Sequence, residues 1–299
     1  MREKLLISIL FLPLLAVTFR SQLLEAALWI EEEYFPINEF PVNPLGDTLI
    51  ETSAGLALPG TNDSLLRCPD AEGIKKFAKL VGQGWSKSVY RLRNHALKLP
   101  NMEGEGWRRC RWRWFGSMHT ELICMRKARE TFLREIRWLL RLQGDPAVPR
   151  LFSYCAEADN PTIATELGEP ITTLKLLKYP RNEMLEIFHK MAEFLARHPG
   201  LRFGDLRRQQ FVLGIHFLPS GHPYTQPLFV DFDDVSERRD GDYDDRDTAS
   251  KFYRSIARDF LWQGANEAQK ALVAELDVSL ANDQLTMAQI AQNIQNMLV

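Results

Sequence analysis

Lys98 closes the apolar stretch Ala96-Leu97-Lys98, a short way beyond the loop Gly82-Gln83-Gly84-Trp85-Ser86-Lys87-Ser88-Val89-Tyr90. Two glycines permit a tight strand–turn–strand whose backbone N–H groups come close to a phosphate. A lysine on the next strand supplies a point charge for phosphate oxygens. Such a lysine needs a carboxylate to orient it. Glu135, in Phe132-Leu133-Arg134-Glu135-Ile136, sits on or beside the apolar face of a helical pattern. Further on, Gly204-Asp205-Leu206-Arg207-Arg208-Gln209-Gln210-Phe211-Val212-Leu213 sets an acid, a cation and an amide before an apolar strand. A second apolar strand ends in Leu228-Phe229-Val230-Asp231-Phe232-Asp233-Asp234. Taken singly these are hairpins with charged ends. In this order they suit phosphoryl transfer. Asp205 would accept a hydroxyl proton, and Arg207 would offset charge on the moving phosphoryl group. Asp231 and the carboxamide oxygen of Gln210 would hold Mg²⁺ or Mn²⁺.

The elements that must carry these residues follow from periodicity. Short β-rich pieces run over Ala78–Val81, Ser88–Leu92, Ala96–Leu99, Pro149–Tyr154 and Thr162–Thr165. Between them, Ile123–Leu142 has apolar residues at helical spacing. Helical patterns then dominate, over Asn182–Ala196, Asp247–Trp262, Glu267–Leu276 and Thr286–Leu298. The expected fold is α+β and two-lobed, with a β-rich N-lobe and a helical C-lobe. At 299 residues with 45% hydrophobic and 25% charged, the chain can bury a sizeable core. Its net charge of -2 gives no global basic field for nucleic acid.

Motif for motif, this is a protein-kinase-like pattern, with Gly82, Gly84 and Val89 in a glycine-rich loop whose third glycine is Lys87. The run Thr162-Ile163-Ala164-Thr165-Glu166-Leu167-Gly168-Glu169-Pro170, the segment Asp205–Leu213 and Asp231-Phe232-Asp233-Asp234 resemble the vertebrate lonesome kinase family. Those are secretory-pathway protein tyrosine kinases. The similarity covers roughly residues 75–299, with the lobes meeting near 168/169. The resemblance implies ATP with Mg²⁺ or Mn²⁺ as cofactors, and secreted or lumenal proteins as substrates. It also implies that Lys87, Gln210 and Asp233 are family variations. Val89 and Ala96 would line the nucleotide pocket. Thr165 would be the gatekeeper, and Glu166 to Leu167 the hinge that bonds adenine. The chain departs from main-group kinases in two ways. Gly204 replaces the Arg before the catalytic Asp, and no A-P-E segment precedes the helical pattern near Asp247. The activation segment is therefore short, which leaves two other functions open: a pseudokinase scaffold, or a sugar or small-molecule kinase.

Arg2 and Lys4 precede an apolar run from Leu5 to Phe19, which reads as a signal peptide or type II signal anchor over residues 1–20. Residues 21–74, rich in Pro, Gly and acidic residues, read as a stem. The expected location is the ER/Golgi lumen and outside the cell. Membrane contact would come only through that anchor. Cys68, Cys110, Cys124 and Cys155 could then pair in three ways. Asn62-Asp63-Ser64 is a glycosylation sequon. Trp107–Trp114 interleaves Arg and Trp and reads as a structured insert with a cationic rim, suited to an acidic partner rather than nucleic acid. Asp240–Asp245 lacks the Gly and Glu of a calcium loop and reads as solvated acid.

Overall fold

The computed structural model describes residues 50–52, 55–57, 78–92, 95–155, 161–217, 223–239 and 244–298. The signal segment, the sequon, Cys68 and Asp240–Tyr243 lie outside them.

A short ladder of β1 (Ile50–Thr52) and β2 (Gly55–Ala57) comes first. The N-lobe is an antiparallel five-stranded sheet in the order β3-β4-β5-β7-β6. Its strands are β3 (Lys79–Gln83), β4 (Lys87–Leu92), β5 (His95–Pro100), β6 (Leu151–Cys155) and β7 (Thr162–Glu166). Helices α1 (Glu105–Arg113) and α2 (Thr120–Arg141) are inserted between β5 and β6. The apolar face of α2 buries Phe132, Ile136 and Leu139, as its spacing requires.

The C-lobe opens with β8 (Glu169–Pro170), α3 (Thr173–Leu176) and α4 (Arg181–Arg197). A short strand β9 (Leu201–Phe203) leads to the hairpin β10 (Phe211–Phe217) and β11 (Pro223–Phe229). Strand β12 (Val235–Glu237) then pairs back onto β9. The helical remainder is α5 (Arg246–Phe252), α6 (Arg258–Trp262), α7 (Glu267–Ala281) and α8 (Met287–Leu298). The pattern over Asp247–Trp262 is not one continuous α-helix, because a π turn at Tyr253–Ala257 separates α5 from α6. Tyr253 there is fully buried and donates to Val273 O and Asp277. Helix α8 buries Met287, Ile290, Ala291, Ile294 and Met297, a clean 3.6-residue stripe, and packs against α4.

This is an α+β, two-lobed architecture with a β-rich N-lobe and a helical C-lobe, as expected. Phe229 is the hinge-pin of the C-lobe core. Its ring meets Phe194 at 5.8 Å, Phe203 at 5.2 Å, Phe211 at 5.3 Å and Phe232 at 4.9 Å. These aromatic contacts hold α4, β9, β10 and β11 together at the strand ends from which Asp205 and Asp231 project.

Candidate active site

Register places the first residues. Gly82 pairs with Val89 across a β-bulge, and Val89 pairs with Lys98 on the next strand. The glycine loop is thus stacked above the lysine. The turn closes through Gly84 N–H donating to Lys87 O at 2.8 Å. Asn101 holds it from below: its Nδ2 donates to Gly84 O at 2.8 Å, and its N–H to Ser86 O at 2.9 Å. The insert grips the loop from outside. Gly106 N–H donates to Trp85 O at 3.1 Å, and the Arg109 guanidinium lies 4.6 Å from the Trp85 ring centre. A side chain at Gly106 would overlap the Trp85 indole, so glycine is what lets α1 approach. A disulfide from Cys110 to Cys124, with Cα atoms 5.8 Å apart, fastens α1 to α2.

Lys98 and Glu135 meet as expected from their order. Lys98 Nζ donates to Glu135 Oε1 and to the backbone O of Val230, the residue before Asp231. Both side chains are buried, Glu135 completely. The same carboxylate takes a second lysine. Lys87 Nζ lies 2.5 Å from Glu135 Oε2, 3.1 Å from Asp231 Oδ1 and 2.8 Å from Asp233 Oδ2. Burial works against the Lys87 charge, but Glu135, Asp231 and Asp233 outweigh it and hold its pKa above the ordinary lysine value. Burial also acts to raise Asp231, yet the Lys87 and Lys98 ammonium groups bring it below the usual carboxylate range. At Asp233 burial prevails over the same lysine, and the pKa is raised. In the sequence Lys87 reads as a loop substitution. Its meeting with three acids carries no local signal beyond a lysine where a glycine is usual.

Across the cleft, Asp205 follows β9. Arg207 binds it with two bonds, Nε to Oδ1 at 2.5 Å and Nη2 to Oδ2. Gln210 Nε2 donates to Asp205 Oδ2 at 3.1 Å, and Gln210 Oε1 accepts from Arg207 N–H at 2.8 Å. A metal at that oxygen would therefore share it with the Arg207 N–H. Val230 N–H donates to Gln210 O at 2.8 Å, which ties the Asp205 loop to the Asp231 strand. Gly204 lies against Asp234, whose carboxylate fills the space a side chain there would need. An arginine at 204 has no room while Asp234 holds that position.

At the back of the cleft Thr165 is buried and pairs with Ala96 across β5 and β7. Glu166 N–H donates to Arg150 O at 2.8 Å, and its carboxylate meets His216 Nε2 at 2.7 Å. Leu167 follows, half-buried. A cavity of about 430 Å³ opens beside the acidic centre, lined by Trp85, Lys127, Arg134, Asp233 and Asp234.

The donor set suits a nucleotide with a hard divalent ion. Mg²⁺ is usually held by one or two carboxylates plus substrate phosphates rather than by a protein cage. Asp231, with its side chain 40% exposed, would offer such a carboxylate. Among the described residues no group of three His, Cys, Asp or Glu is placed to hold a metal by itself. No helix among them is long and apolar enough to cross a membrane.

Neither a protein-family model nor a curated protein matches the sequence. Solved structures similar in fold include the bifunctional kinase-methyltransferase WbdD, at 11% identity and TM-score 0.46, covering 71% of this chain and 42% of that one. A 2.2 Å WbdD structure gives 11% identity and TM-score 0.47, over 73% and 44%. WbdD co-crystallised with the kinase inhibitor LY294002 gives 10% identity and TM-score 0.46, over 73% and 45%. The chain spans less than half the length of these proteins.

Proposed function

We propose that this chain is an ATP-dependent phosphotransferase acting on protein hydroxyl groups in the secretory pathway or outside the cell. The observation that carries the reading is the buried Lys98–Glu135 pair, with Lys98 also bonded to the residue before Asp231. A buried ion pair contributes little to stability against an apolar replacement, because desolvating two charges costs several kcal/mol. Its place in the cleft fits a role toward phosphate. Lys98 and the loop at Gly82 and Gly84 would hold ATP phosphates, Val89, Ala96, Thr165 and the 166–167 hinge the base, and Asp231 with Gln210 the Mg²⁺ or Mn²⁺. That ion, when held there, would offset charge on the phosphates. Asp205 would take the acceptor proton once substrate displaces Arg207 from its carboxylate. A secretory location draws support from the Cys110–Cys124 disulfide, since such bonds persist in oxidising compartments. Tyrosine as the acceptor rests on the family resemblance.

A second reading, a sugar or small-molecule kinase, is favoured by one observation. The chain after Asp231 is spent on the β12–β9 ladder and reaches α5 at Arg246, which leaves little length for a peptide-binding platform. Purified protein incubated with labelled ATP, Mn²⁺ and a mixed secretome, beside an Asp205→Asn control, separates the two. Label on tyrosine of secreted proteins, absent in the control, is expected. Label on glycans or small acceptors alone selects the second reading.

A further inference from the structure

We propose that Lys87 is a tethered cation that occupies the acidic centre, standing in for a second divalent ion. The inference deepens the phosphotransferase reading and rests on it only where nucleotide is concerned. An ammonium group has three N–H donors. Those of Lys87 are met by three carboxylates, at 2.5 Å on Glu135, 3.1 Å on Asp231 and 2.8 Å on Asp233. The ammonium thus sits among three acids, and with it in place they form no group arranged to hold a metal by themselves. Lys87 is 7% exposed, so solvent offers its ammonium little alternative. The backbone end of the tether is fixed: Lys87 begins β4, pairs with Pro100, and its carbonyl closes the glycine turn. With Lys98 on the other Glu135 oxygen, two ammonium groups face three carboxylates. A hard divalent ion would have to bind these oxygens at about 2.1 Å while an ammonium shares them, and the two cations repel.

The nucleotide-free protein is therefore poorly suited to recruit metal. Phosphates entering the cleft meet Lys87 from the loop side and Lys98 from the sheet side, and need at most one divalent ion. That one ion would be the ion assigned to Asp231 and Gln210, whose carboxamide is already engaged by Arg207 and Asp205.

The test uses Mn²⁺ titration followed by electron paramagnetic resonance on nucleotide-free protein, in wild type, Lys87→Met and Lys87→Gln. Both neutral variants should bind Mn²⁺ about tenfold more tightly, or better, because the competing charge is gone. Unchanged or weaker Mn²⁺ binding in the variants overturns the proposal. So does wild-type binding tighter than roughly 100 µM, which requires no variant to fold. A second readout is the thermal shift with ATP. Wild type should be stabilised by ATP in EDTA, and Lys87→Met only when Mg²⁺ is added. A wild-type shift that depends wholly on Mg²⁺ counts against the tethered cation. No ATP shift in either condition overturns the phosphotransferase reading instead, and the Mn²⁺ titration still decides the role of Lys87.

Discussion

Asp205 follows β9 and Asp231 follows β11, and the two acids keep different company. Asp205 is engaged by Arg207 and Gln210, whereas Asp231 faces the lysines. Their replacements should separate accordingly. Asp205→Asn should cost ~10²–10⁴ in transfer rate while the Mg²⁺–ATP thermal shift survives. Asp231→Ala should lose the metal-dependent part of that shift; an equal shift in both variants would contradict the assignment. Asp145 makes a structural contrast. Burial acts to raise it, but bonds from His198, Arg197 and the Ala147 N–H bring its pKa well below the usual carboxylate value. A depressed carboxylate stabilises the fold above its unfolded pKa of about 3.9, and that contribution is lost as pH falls toward the folded value. Asp145→Asn should lower stability at neutral pH and flatten its decline below about pH 4, read from urea midpoints across pH.

Elements position these residues through a few long-range contacts. Phe229 touches four phenylalanines from α4, β9, β10 and the turn after Asp231. Phe229→Ala should cost about 3–5 kcal/mol and loosen the Asp205 and Asp231 loops together. A denaturant midpoint close to wild type would show that β10 and β11 are held by other contacts. The segment after Asp231 is anchored differently, by the β12–β9 ladder and by Arg134 Nη1 donating to Asp233 O at 3.0 Å. With Asp234 filling the space beside Gly204, an activation-loop phosphate has no arginine there to pair with. Phosphatase treatment of purified protein should leave its rate nearly unchanged, and a large loss would refute this.

At the scale of the molecule, one covalent path joins insert to lobe. The glycine loop is held by α1 through Trp85, and α1 by α2 through Cys110–Cys124. Cys155, on β6, is disulfide-bonded as well. Closing a loop with a sequence separation of 14 confers about 3 kcal/mol in the chain-entropy account. The double variant Cys110→Ser, Cys124→Ser should melt several degrees lower and become insensitive to reductant at this site. Equal melting temperatures with and without reductant in wild type would remove the insert from the stability of the N-lobe. The outer face of the insert is unusual in a different respect. Trp112 and Phe115 are more than four-fifths exposed, beside a groove of about 620 Å³ that also includes Arg108 and Arg111.

What the sequence determined alone is what local rules encode. The stripe on α8, the apolar face of α2 and the glycine-lysine order on β3 to β5 follow from periodicity and turn chemistry, and they put Lys98 beside Glu135. The sequence also marks Asp205, which precedes an apolar strand, and Asp231, which ends one, because a charged residue beside an apolar strand is driven to the rim of the core. The partners of Lys87 were not. They lie 48 residues away at Glu135 and 144 away at Asp231, and no local pattern records which distant acids a charge will meet. The same holds for Asp234 filling the space beside Gly204, and for the choice of Cys124 as the partner of Cys110. A side chain's periodicity reports which face it buries. Which buried charges share that interior is set by sheet register and by the way the lobes close, and that is decided only in the folded chain.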